Sequence, residues 1–88
     1  MRLTELEKTI MLVFLVFTKG SVDKHLSEEF ILSKFVPRQR KLVRRAIRRL
    51  IKNSLLDKKP KELNYKFTKQ GLKRASRILH EGAKLWKR

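Results

Sequence analysis

Apolar residues in the first quarter of the chain recur at helical spacing. Thr4 and Glu7 form a Thr-x-x-Glu capping pattern just before them, and Gly20 follows where a helix commonly ends. We therefore predict a first helix from about Glu5 to Thr18. Its apolar side chains occupy nearly every face: Leu6, Ile10, Met11, Leu12, Val13, Leu15, Val16 and Phe17. Such a helix must be buried nearly all round, so we expect a second copy of the chain to cover part of it.

Two more helices are predicted in the middle of the chain. Ser27 is followed by two glutamates, which is typical of a helix start and predicts a helix over about 28–34. The turn at 35–36 leads to Pro37, which suits the first position of a third helix ending at about Asn53. An apolar stripe runs along that third helix and consists of Val43, Ala46, Ile47 and Leu50.

Short extended segments are predicted on both sides of these helices. Residues 21–23 are turn-like and would form at most a one- or two-residue strand. Residues 55–58 and 64–67 have the composition and alternation of two strands. The charged segment between them contains Pro60 and has turn character. Together they predict a β-hairpin directly after the third helix.

A last helix completes the pattern. Thr68 is a suitable N-cap, and apolar or small residues then repeat every three or four positions toward Trp86. No internal repeat or low-complexity linker interrupts the chain. We therefore predict one domain over residues 1–88.

The charge of the chain is strongly positive and unevenly placed. Its 88 residues include 24 Lys and Arg against 8 Asp and Glu, a formal net charge of +16 at pH 7. No acid occurs between Glu29 and Asp57, where the second and third helices are predicted. The usual partner of such an excess is a polyanion, nucleic acid first and an anionic membrane second. With 41% hydrophobic residues the chain is too apolar for a disordered basic tail, which favours a folded, cationic module.

The order of predicted elements resembles the winged helix-turn-helix family, and three segments carry the resemblance. Phe30–Leu50 is similar to the family's helix-turn-helix. Leu50–Leu56, which reads Leu-Ile-Lys-Asn-Ser-Leu-Leu, is similar to the passage from recognition helix to wing strand, often Leu-x-x-x-Gly-Leu-Val. Tyr65–Gly71, which reads Tyr-Lys-Phe-Thr-Lys-Gln-Gly, is similar to the family's Tyr-x-Leu-Thr-x-x-Gly at the start of the final helix.

This resemblance implies a mostly helical α+β winged helix-turn-helix fold. The helix-turn-helix would occupy about 27–53, the wing about 55–67 and the C-terminal helix about 68–87. The chain is similar in general to small regulators of the MarR and PadR kind and to short winged-helix proteins of archaea and their viruses. Phe35 and Ser54 stand where the family often has Gly, so a left-handed backbone at either position would be strained.

The resemblance further implies that the third helix enters the major groove of double-stranded DNA. The candidate DNA-binding residues of this helix are Arg38, Gln39, Arg40, Lys41, Arg44, Arg45, Arg48 and Lys52. We expect base contacts from Arg38, Gln39, Lys41 and Arg45, and phosphate contacts from Arg44, Arg48 and Lys52. The wing candidates, expected on the DNA backbone or in the minor groove, are Lys58, Lys59 and Lys61.

A homodimer that acts as a transcriptional repressor is the expected assembly. A monomer would touch only a short piece of duplex, and the wing and helix-turn-helix cannot cover the apolar first and last helices. The candidate interface residues are Ile10, Phe14, Leu79 and Trp86. Two-fold symmetry would place two recognition helices about 34 Å apart, facing successive major grooves.

Other readings stay open at this point. The domain could be a nonspecific DNA- or RNA-binding module associated with chromatin or the ribosome, or a winged helix that binds only protein. No enzyme activity, cofactor, metal or small-molecule ligand is expected, because His25 and His80 stand apart, Cys is absent and no catalytic constellation occurs. The longest apolar run, Ile10–Phe17, is too short to span a bilayer, and we expect a cytoplasmic protein without membrane partners.

Overall fold

The computed structural model describes residues 2–86, and the side chains of residues 2–82. It is an α+β structure, 60% helical, with a small three-stranded antiparallel sheet. The elements in chain order are α1 (Glu5–Thr18), β1 (Leu26–Ser27), α2 (Glu28–Leu32), a 3₁₀ turn (Pro37–Gln39), α3 (Arg40–Lys52), β2 (Leu56–Lys58), β3 (Asn64–Phe67) and α4 (Lys69–Trp86). This order is the one predicted from the hydrophobic pattern.

The capping box predicted at the start of α1 is confirmed. The Thr4 side chain accepts a hydrogen bond from the Glu7 backbone N–H, and the Glu7 carboxylate accepts one from the Thr4 N–H. These two bonds satisfy N–H groups that a helix start otherwise leaves without partners. Lys19 and Gly20, both at positive φ, end the helix, and the Gly20 N–H donates to the Leu15 carbonyl.

The sheet joins the two parts of the chain that flank α2 and α3. Its strand order is β1-β3-β2, with Leu26 opposite Tyr65 and Leu56 opposite Phe67. The hairpin strands form as predicted to within one residue. The expectation of a strand at 21–23 is wrong, since the short strand is Leu26–Ser27. Its position depends on pairing with β3, far away in sequence, and not on a local pattern.

Helix α2 is shorter than predicted. Ser27 is its N-cap, as expected, because its hydroxyl accepts a hydrogen bond from the Phe30 N–H. The helix ends at Leu32 rather than near Lys34, and a turn leads into the 3₁₀ segment that begins at Pro37. The backbone N–H of Glu28 donates to the carbonyl of Leu63, so the start of α2 is attached to the base of the hairpin.

The core lies among α1, α3 and the hairpin. The rings of Phe14 and Phe67 meet there with centroids 5.5 Å apart. The buried apolar residues are Leu3, Ile10, Met11, Phe14, Ile31, Leu32, Val43, Ala46, Ile47, Leu50, Leu55, Leu56, Tyr65, Phe67 and Ala75. All four residues of the stripe predicted on the third helix are among them, which confirms which side of α3 faces the body of the protein.

A tight backbone junction connects the end of α3, the start of β2 and the start of α4. Ser54 adopts a left-handed conformation, φ 62°, whereas Asn53, expected to be the left-handed cap, has φ −96°. The hydroxyl of Thr68 donates to the Ser54 carbonyl and accepts from the Gly71 N–H. A Cβ at position 71 would overlap the carbonyl of Leu55, so only glycine allows this approach. Phe35 is not among the residues with positive φ.

Candidate nucleic-acid interface

The solvent-facing side of α3 carries a continuous row of basic side chains. Residues spaced by three or four positions share a helix face, and the face opposite the buried apolar stripe is formed by Lys41, Arg45, Arg48 and Lys52. We call these four residues the α3 basic stripe. All four are exposed, and no ion pair among the described residues engages any of them. The stripe therefore presents positive charge over the length of α3.

Arg44 lies at one edge of this stripe and is bonded within the fold. Its Nε is 3.5 Å from the Glu28 carboxylate at the start of α2. The hydroxyl of Tyr65, on β3, donates to the other oxygen of the same carboxylate at 3.1 Å. Burial raises the pKa of Tyr65 to about 12, and the hydrogen bond to Glu28 and its negative charge act in the same direction. The phosphate contact predicted for Arg44 thus falls on a side chain that already joins α3 to α2.

Arg49 lies at the opposite edge and is also bonded within the fold. Its Nη1 donates to Oε1 of Glu7 at 2.7 Å. The Glu7 side chain is only 2% exposed, and its second oxygen has no hydrogen-bond partner among the described residues. Arg49 is not among the residues for which we predicted a role. A signal was present, because Glu7 lies on the apolar face of α1 that includes Ile10 and Phe14, and a carboxylate on a buried face needs a cation.

The two edge arginines fix how α3 is rotated about its axis. Arg44 ties one edge to α2 and Arg49 ties the other edge to α1. The α3 basic stripe lies between these two edges and points away from both partners. The cations on α3 thus divide into Arg44 and Arg49, which hold the helix in place, and five that face solvent, namely Arg40 and the four residues of the α3 basic stripe.

The residues before and at the start of α3 add further exposed charge. Arg38 lies in the 3₁₀ turn and Arg40 at the first position of α3, and both are exposed. Gln39, also predicted to contact a base, is half-buried. Arg38 and Arg40 therefore extend the positive surface beyond the N-terminal end of the stripe.

The β2–β3 hairpin carries the three predicted lysines, and Glu62 offsets part of their charge. Lys58, Lys59 and Lys61 are all exposed. Lys59 lies 3.4 Å from the Glu62 carboxylate, which also accepts a hydrogen bond from the Asn64 side chain at 2.8 Å. Of the three lysines, Lys58 and Lys61 have no ion pair among the described residues.

Two of the four predicted dimer-interface residues are unavailable to a partner. Ile10 and Phe14 are 0% exposed because both belong to the core of a single chain, so the expectation is wrong for them. Leu79, on α4, is 55% exposed. The side chain of Trp86 lies outside the described part of the protein. Helix α1 does keep an apolar side chain in solvent, because Val16 is 64% exposed.

Two other features, a metal-binding cluster and a membrane-spanning helix, are absent from the described residues. Within residues 2–86, no group of three or more His, Cys, Asp or Glu side chains could hold a metal ion. In the same range, no helix is both long and apolar enough to cross a membrane.

Comparisons with known protein families, with curated protein sequences and with solved structures found no match to this chain.

Proposed function

We propose that this protein is a winged-helix transcriptional regulator that binds double-stranded DNA with α3 in the major groove. The observation that carries the proposal is the α3 basic stripe, which is exposed along the whole helix while the arginines at both edges are bonded inward. Cations arranged in this way gain free energy by displacing the counterions condensed on DNA. The unfavourable self-repulsion of a chain with net charge +16 is offset when such a partner is bound.

The arrangement of elements supports a winged helix. Helix α2, the turn after it and α3 stand in the order of a helix-turn-helix, and the β2–β3 hairpin follows α3 directly. In helix-turn-helix proteins the N-terminal part of the second helix meets base edges. We therefore assign base contacts to Arg38, Lys41 and Arg45, at or near the N-terminal end of α3.

Contacts outside the first turns of α3 would mainly hold the protein on the DNA backbone. Arg48 and Lys52, farther along the same stripe, suit phosphate oxygens. Lys58 and Lys61 of the hairpin suit the backbone or the minor groove beside it. Arg44 is left out of the proposed contact set because Glu28 already engages it.

The regulatory form we propose is a homodimer that blocks a promoter. Val16 on α1 and Leu79 on α4 are large apolar side chains left mostly exposed on two helices that pack against each other. Sedimentation at tens of micromolar protein should report two chains per particle for the wild type. The Val16→Ser/Leu79→Ser variant should sediment as one chain, and a wild-type monomer under the same conditions contradicts the dimer.

Salt-dependent DNA binding tests the role of α3. Binding of the wild type and of Arg45→Ala/Arg48→Ala to one labelled duplex should be measured across a range of salt concentrations. Loss of the Arg48 phosphate contact lowers the slope of log affinity against log salt by roughly one, and the further loss of the Arg45 base contact removes most of the binding. Lys19→Gln/Lys24→Gln, which removes two exposed charges from the loop after α1, is the matched control. Equal affinity and slope for the two variants would remove α3 from the interface.

Selection from a random duplex pool at physiological salt tests sequence specificity and symmetry together. Enrichment of an inverted repeat supports a dimeric, sequence-specific regulator. Equal binding to unrelated duplexes, or tighter binding to structured RNA, instead supports a nonspecific or RNA-directed module. Absence of binding to any nucleic acid would leave a protein-binding domain.

A further inference from the structure

A second exposed basic surface lies on α4. Lys69, Lys73 and Arg77 recur at four-residue spacing and lie on the solvent side of that helix, while Gly71 and Ala75 on its other side are buried. All three basic residues are exposed, and none has an ion pair among the described residues. We call these three residues the α4 basic surface.

Residues before α1 extend this surface. Arg2, which is exposed, and Arg77 line the same recess of about 160 Å³ beside the start of α1. Glu81 also lines the recess and offsets part of the local charge. The positive region therefore continues from α4 onto the segment that precedes α1.

The α4 basic surface and the α3 basic stripe lie on different sides of the domain. Helix α1 contacts both α3 and α4. Its Glu7 bonds to α3, whereas its Leu12 lies in a cleft with Ile78 of α4. At 3.6 residues per turn, positions 7 and 12 are on different faces of α1, so that α1 lies between the two helices. The α3 basic stripe and the α4 basic surface each lie on the solvent side of their helix, turned away from the packed core.

One duplex is poorly suited to reach both surfaces. The domain measures 44 × 29 × 23 Å, and DNA stays straight over far greater lengths, about 150 base pairs. A duplex seated against α3 would have to bend sharply around the protein to meet α4. A second, separate duplex can meet α4 without bending.

We propose that the α4 basic surface binds the phosphate backbone of a second DNA duplex, so that the protein cross-links two DNA segments. The first duplex is the one held by α3, and in that respect the inference rests on the proposed function. The second contact is independent of sequence, because Lys and Arg gain from counterion release at any phosphate.

The composition of the α4 face favours DNA over a membrane surface. A helix that lies on a bilayer needs a broad apolar face beside its cations. The solvent side of α4 consists instead of the three basic residues together with Gln70, Ser76 and His80. Leu79, two positions after Arg77 and so on a different face of α4 from it, is the one exposed large apolar side chain of this helix within residues 69–82. A polyanion that requires no apolar insertion matches this face.

A bridging assay tests the inference. A duplex fixed on beads is loaded with protein, washed, and offered a second, fluorescently labelled duplex. The wild type should capture the second duplex. Lys73→Gln/Arg77→Gln should lower this capture about tenfold while changing affinity for a single duplex much less, because the α3 contacts remain. The matched control, Lys19→Gln/Lys24→Gln, loses the same charge from another exposed region and should capture like the wild type.

The outcomes separate the two proposals. If Lys73→Gln/Arg77→Gln captures the second duplex as well as the control variant does, α4 does not contact that duplex. A dimer that bridges two duplexes through its two α3 helices would give this same result, and the inference would again be wrong. If that variant loses binding to anionic phospholipid vesicles but keeps duplex capture, α4 serves a membrane and the inference is overturned. If instead the proposed function is wrong and α3 does not bind DNA, Arg45→Ala/Arg48→Ala will bind a single duplex with unchanged affinity.

Discussion

Arg49 on α3 and Glu7 on α1 form a 2.7 Å ion pair at the inner edge of the most basic helix of the protein. The carboxylate is almost fully buried, while the arginine side chain is 47% exposed. The pair is thus a buried anion held by a cation that reaches it from the surface. Arg49, although it lies among the basic residues of α3, is therefore part of the packing of α1 against α3.

Removing the cation of this pair should be more harmful than removing both partners. Arg49→Ala leaves a buried carboxylate without its countercharge, and we expect it to lower the free energy of unfolding by about 3 kcal/mol. Glu7→Gln/Arg49→Ala should be roughly 1–2 kcal/mol more stable than Arg49→Ala, since no buried charge remains. Urea unfolding of the two variants and the wild type measures both values. A double variant no more stable than Arg49→Ala alone would contradict this account of the pair.

Tyr65 should titrate at unusually high pH in the folded protein. Burial, reinforced by the hydrogen bond to Glu28, raises its pKa from 10.0 to about 12. It is the single tyrosine of the chain, so tyrosinate absorbance reports this residue alone. The absorbance midpoint should lie near pH 12 in buffer and near pH 10 in denaturant. Glu28→Gln should move the folded midpoint downward, and coinciding midpoints for the folded and unfolded wild type would exclude the effect.

The same shift makes stability depend on pH at the alkaline end. Below pH 10 the folded and unfolded chains both keep the Tyr65 proton. Between about pH 10 and 12 the unfolded chain releases it while the folded chain retains it, so the free energy of unfolding falls as pH rises. Tyr65→Phe should lack this component. The quantity to compare is the difference in the free energy of unfolding between the wild type and Tyr65→Phe across this pH range.

Gly71 and Gly82, both on α4, should respond in opposite directions to the same substitution. A methyl group at 71 would overlap the Leu55 carbonyl, so Gly71→Ala should cost about 3 kcal/mol or more, or prevent folding. At 82 no atom of the part of the chain that the structure describes lies within 4 Å of the added carbon, and Gly82→Ala should stabilise the helix by up to about 1 kcal/mol. Thermal unfolding of both variants provides the comparison, and a tolerated Gly71→Ala would show that the junction can open.

Ser54 should gain from replacement by glycine. Its φ of 62° is unfavourable for a residue with a side chain, and Ser54→Gly should raise the free energy of unfolding by about 0.5–1 kcal/mol. The neighbouring Asn53→Gly is the control, because Asn53 has negative φ and its side chain donates to the Arg49 carbonyl. That control should lose stability. Equal changes in the free energy of unfolding of the two variants would contradict a left-handed backbone at Ser54.

Local patterns in the sequence were sufficient for most of the fold. The capping box of Thr4 and Glu7, the apolar stripe of α3 and the alternation in the hairpin each depend on residues close together in the chain, and the structure contains all three. The α3 basic stripe could be predicted in the same way, since it is the complement of the apolar stripe on one helix.

Features that depend on contacts between distant residues could not be read from such patterns. The strand at Leu26–Ser27 exists because it pairs with β3. Arg49 meets Glu7 across 42 positions, and Arg44 meets Glu28 across 16. The expected burial of Ile10 and Phe14 against a second chain is wrong for a related reason, because residues of the same chain already cover them.

The contact of Gly71 with Leu55 has a consequence for mechanical coupling. It brings main chain against main chain, where no side-chain rotamer can lengthen or shorten the connection. Leu55 is in turn bonded to the last turn of α3 through its N–H to the Leu50 carbonyl at 2.9 Å. The end of α3 and the start of α4 are therefore connected through Leu55 by rigid main-chain contacts, and two DNA duplexes bound by these helices would be held at one fixed spacing.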